Sequence, residues 1–211
     1  MWQRVLMCMC CLCAAWAHAG SQREEPLADA VRTALSAAVV VAGPPPSVVH
    51  TDATVEQVYA RWLERTEAKL AQQLQKRSTG TSAAPSHELA NAALRREFLQ
   101  TVWYESQRAG LPVDLVLGLI QVESGFRKFA ISSAGARGYT QVMPFWTRQL
   151  ASGDASVLFQ AQANLRFGCV ILRHYLNVEE GNLHMALGRY NGSRGQMQYP
   201  NAVLAAQRQW Q

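Results

Sequence analysis

One carboxylic acid, Glu123, ends the apolar run PVDLVLGLIQVES and opens the small-residue stretch ESGFRKFAISSAGARGYTQVMP. At helical spacing Glu123 shares a face with Val116, Leu119 and Ile120. A carboxyl group among aliphatic side chains loses its water, which favours the protonated form near neutral pH. A positioned, protonated acid is what cleavage of a glycosidic bond requires, because the leaving oxygen must receive a proton. The plain alternative is a helix-terminal glutamate whose carboxylate simply reaches solvent.

Most glycosidases work with two carboxylates at a defined separation. Between Pro112 and Asn177 the acids are Asp114, Glu123 and Asp154. Asp114 lies nine residues back on the same helix, roughly 13 Å along its axis. Asp154 follows Gly153 and reads as a loop or cap residue. If Glu123 is catalytic, it therefore serves as both acid and base, and the substrate supplies its own nucleophile.

Several helices must position this acid. Residues 54–77 carry Val55, Val58, Tyr59, Trp62 and Leu70 at helical spacing. A helix capped by Ser86 carries Leu94, Phe98 and Val102 and ends near Gly110. Pro112 and Asp114 suit the start of the apolar helix that leads to Glu123. Pro144 opens a short helix, and residues 158–176 form a further one whose inner face includes Leu165, Gly168, Cys169 and Leu172. Asn182 caps a last helix with Leu183, Ala186, Leu187 and Tyr190. No alternating strand is readable beyond a short hairpin around residues 128–141. The class is mainly α, with one catalytic domain at 85–211. Ahead of it lie an Ala/Pro-rich spacer at 20–50, containing Gly43–Ser47, and an N-terminal helix and loop at 51–84, ending in STGTSAAP.

Residues 1–19 read as a secretory signal peptide: a basic start, an apolar core and a small-x-small ending at Ala19. Four of the five cysteines fall in that leader, leaving Cys169 to pack as a small apolar core residue. Export to the periplasm follows, with no transmembrane segment in the mature chain. Apolar residues make up 49% of the chain, which excludes disorder throughout. The net charge of +5 is spread over a chain only 17% charged, and basic residues do not cluster with aromatics, so nucleic-acid binding is disfavoured. His174 and His184 lie on different helices without further ligands at metal spacing, so no metal or other cofactor is expected.

Three motifs occur in order: ESGF at 123–126 joined to AxSxxGAxGxxQxMP across Ala130–Pro144 is the first, NLRFG at Asn164–Gly168 the second and RYNG at Arg189–Gly192 the third. This pattern, covering about residues 89–192, resembles the soluble lytic transglycosylase family with its lysozyme-like fold. The resemblance implies cleavage of the β-1,4 bond between N-acetylmuramic acid and N-acetylglucosamine in peptidoglycan, leaving a 1,6-anhydro ring. It implies Glu123 as the acid/base and Ser132 as the serine orienting substrate. It implies Gln141 and Met143 as groove-lining residues, Tyr190 as the tyrosine bonded to the glutamate, and Asn191 as its sugar-contacting neighbour. Departures from the pattern are GYTQ for GLMQ, Arg127-Lys128 for Asn-Pro, and RYNGS for AYNAG.

Two other readings stay open. One is a lysozyme-type hydrolase. The other is a non-catalytic glycan-binding scaffold for a secretion, pilus or flagellar assembly. Tyr139, Phe145 and Trp146 stack on sugar rings or pack the core; Trp62 and Trp103 are core by spacing.

Overall fold

A computed structural model describes residues 22–40, 52–78 and 88–211. Among them are eight α-helices: α1 (Asp29–Val39), α2 (Ala53–Ser78), α3 (Ala92–Arg108), α4 (Val113–Glu123), α5 (Phe145–Leu150), α6 (Ala161–Val178), α7 (Leu183–Asn191) and α8 (Gln198–Trp210). Two short 3₁₀ turns, Glu88–Ala90 and Ala155–Phe159, precede α3 and α6. The mainly α class is thus borne out. In place of a hairpin, the loop after α4 makes two isolated bridges, Ile131 with Arg137 and Arg137 with Val142.

Local chemistry explains most helix ends. Asn91 caps α3, its side chain accepting from the backbone N–H groups of Ala93 and Leu94. Ser86 was expected in that role, but it lies outside the described residues. Asn182 caps α7 by accepting from Met185 N–H, as its position predicts. Gly192 ends α7 in the left-handed conformation, at φ 77°, which glycine adopts without steric penalty.

Helix α4 is buried nearly all round, with Leu115, Val116, Leu117, Leu119 and Ile120 all in the core. Its main partner is α8. The two approach closely because Gly118 has no side chain. A Cβ there would lie 2.7 Å from the backbone nitrogen of Gln207 and 2.9 Å from the carbonyl of Val203. Trp210 closes the far end, its indole donating to Gln121 Oε1 at 2.8 Å and its ring meeting Phe126.

Helix α2 packs on α3 through Tyr59, Trp62 and Trp103, whose ring centroids lie 4.7–6.2 Å apart. The buried stripe of α2 continues through Leu63, Leu70 and Leu74, whereas Val55 and Val58 face solvent, as does Leu94 on α3. The apolar spacing had assigned all three to the inner stripes. Val55 and Leu94 lie in the first turns of their helices, before those faces meet a partner, and Val58 sits about 100° round the helix from the buried Tyr59, off the stripe. The segment read as a spacer also differs: residues 29–39 form α1, which packs against α5 and α6. The proline run Gly43–Ser47, the STGTSAAP loop beyond Ser78 and the leader lie outside the described residues. Cys169 is buried in α6, as expected.

Gly118→Ala puts a methyl against backbone that no rotamer can clear. It is expected to destabilise the fold by about 2 kcal/mol, in the range of overpacked cores, measured as a lower midpoint of urea unfolding.

Candidate active site

Glu123 is the last residue of α4, and its side chain is 4% exposed. The chain then reverses through Gly125 and Phe126, both left-handed at φ 58° and 68°. For phenylalanine this conformation is strained. It is held because the Phe126 ring is sunk between Phe98 and Trp210, at 6.2 and 5.4 Å. The SGF of the first motif is therefore a turn, and it leaves the Glu123 carboxyl pointing into the molecule at the helix end.

Among the described residues one side chain hydrogen-bonds that carboxyl. The Tyr199 hydroxyl, at the start of α8, donates a short hydrogen bond to Glu123 Oε1. Glu123 Oε2 is buried and has no hydrogen-bond partner among the described residues. Burial pushes the Glu123 pKa up to about 8, and the Tyr199 hydrogen bond pulls the other way. Burial also keeps both Tyr199 and Tyr190 protonated, with the charge of an ionised Glu123 acting in the same direction. Asp114 is far from this site in its contacts, accepting from Gln207 and Gln211. Asp154 caps the 3₁₀ turn at Ala155, as its sequence position suggested.

Tyr190 differs from its expected role. Its hydroxyl donates to the carbonyl of Thr140 at 2.8 Å, so it fastens the loop and does not bond Glu123. Tyr199 makes that bond, and the sequence reading missed it. It stands eight residues beyond Asn191, after the Gly195 turn, where no spacing rule ties it to Glu123.

The loop from Ala130 to Pro144 is held from within. Ser132 Oγ accepts from Ala136 N–H at 3.0 Å and is half-exposed. Gln141 is buried and left-handed at φ 50°. Its amide nitrogen donates to the carbonyls of Ala130 and Gly138, at 3.1 and 2.8 Å, which offsets that conformation. The Gln141 side chain thus braces the loop from inside and does not line an open groove. Met143 is partly buried beside the core. Asn191 donates to Ser193 Oγ at 3.0 Å. Tyr139, Phe145 and Trp146, three candidates for stacking on sugars, are all buried in the core.

The second motif gains a physical meaning. Asn164 accepts from Thr140 N–H at 2.8 Å and donates to the carbonyls of Arg137 and Leu158. A Cβ on Gly138 would sit 2.3 Å from the Asn164 amide, and one on Gly168 only 2.5 Å from Thr140 Oγ1. Asn and Gly four apart on α6 therefore form the dock for the GYTQ turn. A cavity of about 520 Å³ lies elsewhere, between α1, α3 and α6, with Leu35, Glu105, Cys169 and Arg173 among its lining residues. Glu123 does not border it, and the placement of the carboxyl, not the size of a hollow, marks the candidate site.

Residues 100–209 match the family model of the transglycosylase SLT domain. The chain belongs to the SLT domain family. With that membership comes the lysozyme-like class. A membrane-bound lytic murein transglycosylase C of Mannheimia succiniciproducens is 45% identical over 49 residues, which are 23% of this chain and 14% of that protein. One from Actinobacillus pleuropneumoniae serotype 5b is 31% identical over 96 residues, 44% of this chain and 24% of that protein. The chain therefore spans a quarter or less of the curated relatives it matches. An X-ray structure of an inactive mutant of lytic transglycosylase Slt from Pseudomonas aeruginosa aligns with TM-score 0.42 and 20% identity. It covers 53% of this chain and 22% of that one.

Two outcomes follow for this SLT domain. The raised Glu123 pKa means the folded state holds a proton that the unfolded chain has released between pH 4.5 and about 8. Stability from this group is complete below pH 4.5 and is lost as pH rises through 8, by at most about 1.4 kcal/mol per pH unit. Glu123→Gln removes that slope, measured by denaturant unfolding across this range. Tyr199→Phe removes the donor that favours the carboxylate. It moves the Glu123 titration to higher pH, read by NMR of the labelled carboxyl, whereas Tyr190→Phe moves it far less.

Proposed function

We propose that the chain is a peptidoglycan lytic transglycosylase that cleaves the β-1,4 bond between N-acetylmuramic acid and N-acetylglucosamine. The observation that carries this reading is the Glu123 carboxyl. It is buried, protonated to about pH 8, bonded at one oxygen and, among the described residues, unpartnered at the other. With Oε1 occupied by the Tyr199 hydroxyl, the acidic proton sits on Oε2. In this reading that buried atom is the one that gives its proton to a substrate oxygen.

Glu123 Oε2–H protonates the leaving glycosidic oxygen as the C1–O4 bond breaks. The 2-acetamido oxygen of the muramic acid closes on C1 and carries the positive charge. The carboxylate, now stabilised by Tyr199, accepts the proton of the C6 hydroxyl while O6 displaces the acetamido oxygen from C1. The products are a 1,6-anhydro-muramic end and a free C4 hydroxyl, with no water consumed and Glu123 protonated again. One carboxylate suffices, which fits the causes of its shift: burial and Tyr199, with no second acid among them.

Ser132, Met143 and Asn191 serve in this reading as substrate contacts, and Gln141 and Tyr190 as braces of the loop that presents them. The same reading has residues 1–19 direct export to the periplasm. There the domain acts on glycan strands, on its own or for a secretion, pilus or flagellar assembly. No helix among the described residues is long and apolar enough to cross a membrane.

Digestion of purified peptidoglycan followed by mass spectrometry is expected to yield anhydro-muropeptides, each lighter than the hydrolytic product by one water. Reducing ends without the ring would establish the lysozyme-type hydrolase. Intact strands that are nevertheless bound would establish the scaffold. Glu123→Gln is expected to lower kcat by at least about a hundredfold while keeping the fold.

A further inference from the structure

Helix α1 presents Val31, Ala34, Leu35 and Ala38 on one face, and this face lines the cavity of about 520 Å³ between α1, α3 and α6. The helix packs against α5 and α6. Two of its four facing side chains are single methyl groups, so α1 does not close the gap toward α3. Opposite, Ala109, Cys169, Val170 and Val178 complete an aliphatic wall. Val31 and Val178 are 37% and 48% exposed, so the cavity opens to solvent along that edge. Its volume is that of a small-molecule site, and among the described residues no Phe, Tyr or Trp lines it.

The polar part of the lining is positive. Glu105, at 1% exposure, accepts three hydrogen bonds from Arg166 at 2.7–3.1 Å. Arg108 stands 3.9 Å from the same carboxylate, beyond hydrogen-bond reach. One acid thus faces two guanidinium groups and is committed to Arg166. Arg173 bonds the carbonyls of Ala109 and Gly110, which are neutral, and no carboxylate among the described residues pairs with it. Burial first, and Arg189 second, hold His174 below the ordinary histidine range, so it adds no charge at neutral pH. The guanidinium groups of Arg108 and Arg173 therefore stand uncompensated beside an aliphatic trough. A planar guanidinium grips a carboxylate through two parallel N–H donors, and the trough receives an aliphatic tail.

We propose that this cavity binds a free aliphatic carboxylate of medium chain length, its tail along α1 and its head at Arg108 and Arg173. The α1 face from Val31 to Ala38 runs roughly 10 Å, the reach of a chain of about eight carbons. Glu123 does not border the cavity, so binding here is independent of whether the chain cleaves peptidoglycan. A ligand in this place touches α1, α3 and α6 at once and stabilises the folded chain by mass action.

Isothermal calorimetry of octanoate, with octanol as its uncharged match, on the full chain and two variants tests this. Octanoate is expected to bind once per chain with a Kd of about 0.3 mM, in line with the affinity per atom of small ligands. Octanol on the unaltered chain, and octanoate on Arg108→Gln, are each expected to bind about tenfold more weakly, the worth of one charge-assisted hydrogen bond. Ala34→Leu puts a side chain into the trough and is expected to abolish octanoate binding while raising the midpoint of thermal unfolding. Arg108→Gln changes an exposed side chain, keeps the fold, and decides alone if Ala34→Leu does not fold. The absence of saturable heat, equal affinity for octanol and octanoate, or an octanoate affinity unchanged by Arg108→Gln overturns the proposal. No binding together with self-association in sedimentation gives the trough to a second copy of the chain and overturns it too.

Discussion

A carboxyl group taken out of water is the constraint on which this architecture turns. Left ionised at 4% exposure it would carry a large desolvation penalty, so it must be neutral or partnered. The fold does some of each. Burial among α4 and its neighbours holds the proton, and Tyr199 keeps the carboxylate accessible. Tyr199 arrives only because α8 lies directly on α4, and α8 lies there only because Gly118 leaves room for the backbone at Val203 and Gln207. A missing side chain in the middle of one helix thus governs a hydrogen bond at its end.

The other wall of the site hangs from α6. Asn164 and Gly168 dock the turn at Gly138–Gln141, Tyr190 ties the same turn through the Thr140 carbonyl, and Gln141 spans its inside. Between those two motif positions, Arg166 makes a buried pair with Glu105 of α3 at 2.7 Å and donates to the Val40 carbonyl beyond α1. A pair buried this deeply is weak evidence for net stability, but removing one partner would strand the other's charge. Its effect is to fix the rotation of α6 against α3, and so to aim Asn164 at the loop. Glu179, paired with Arg189 and Arg194, performs a similar service at the α6–α7 corner.

The sequence carried the helices well where burial has a period. The apolar run ending at Glu123 could only be a buried helix, and Asn182 and Asp154 cap where their types predict. It also carried the acid, because a carboxylate among Val116, Leu119 and Ile120 already implies a raised pKa. Periodicity failed at helix starts such as Val55 and Leu94, where a stripe exists but no neighbour covers it. It failed at α1 too, whose alanines resemble a spacer until α5 and α6 are there to receive Leu35 and Val39. The tyrosines were harder. Tyr190 sits in the motif and Tyr199 does not, yet both are buried and both hydroxyls need an acceptor. Which takes the carbonyl and which takes the carboxyl depends on how α7 and α8 cross, and that is not written in either residue's surroundings along the chain. The departure GYTQ resolves similarly: Tyr139 joins Phe98 in the core and Thr140 becomes the hinge pin for Asn164, so neither faces an open groove.

In the proposed reaction two opposed effects, burial the larger and the Tyr199 hydrogen bond the smaller, make a single acid serviceable twice. Desolvation alone would push a buried glutamate so high that its carboxylate, once formed, would be a strong base but seldom present. A strong hydrogen bond alone would pull it down to an ordinary acid that is ionised before it meets substrate. With both, the group titrates near 8, close to neutral pH, where a general acid and its conjugate base lose least in either direction. The division of its two oxygens completes the argument. Tyr199 engages Oε1. In the proposed reaction Oε2, without a partner among the described residues, gives a proton in the first half and takes one in the second. A second carboxylate close by would break this balance, since its charge would raise the pKa further and disfavour the basic half. The solitary acid at the end of the helix is therefore a requirement of the proposed chemistry, imposed on the residues around it as much as on Glu123 itself.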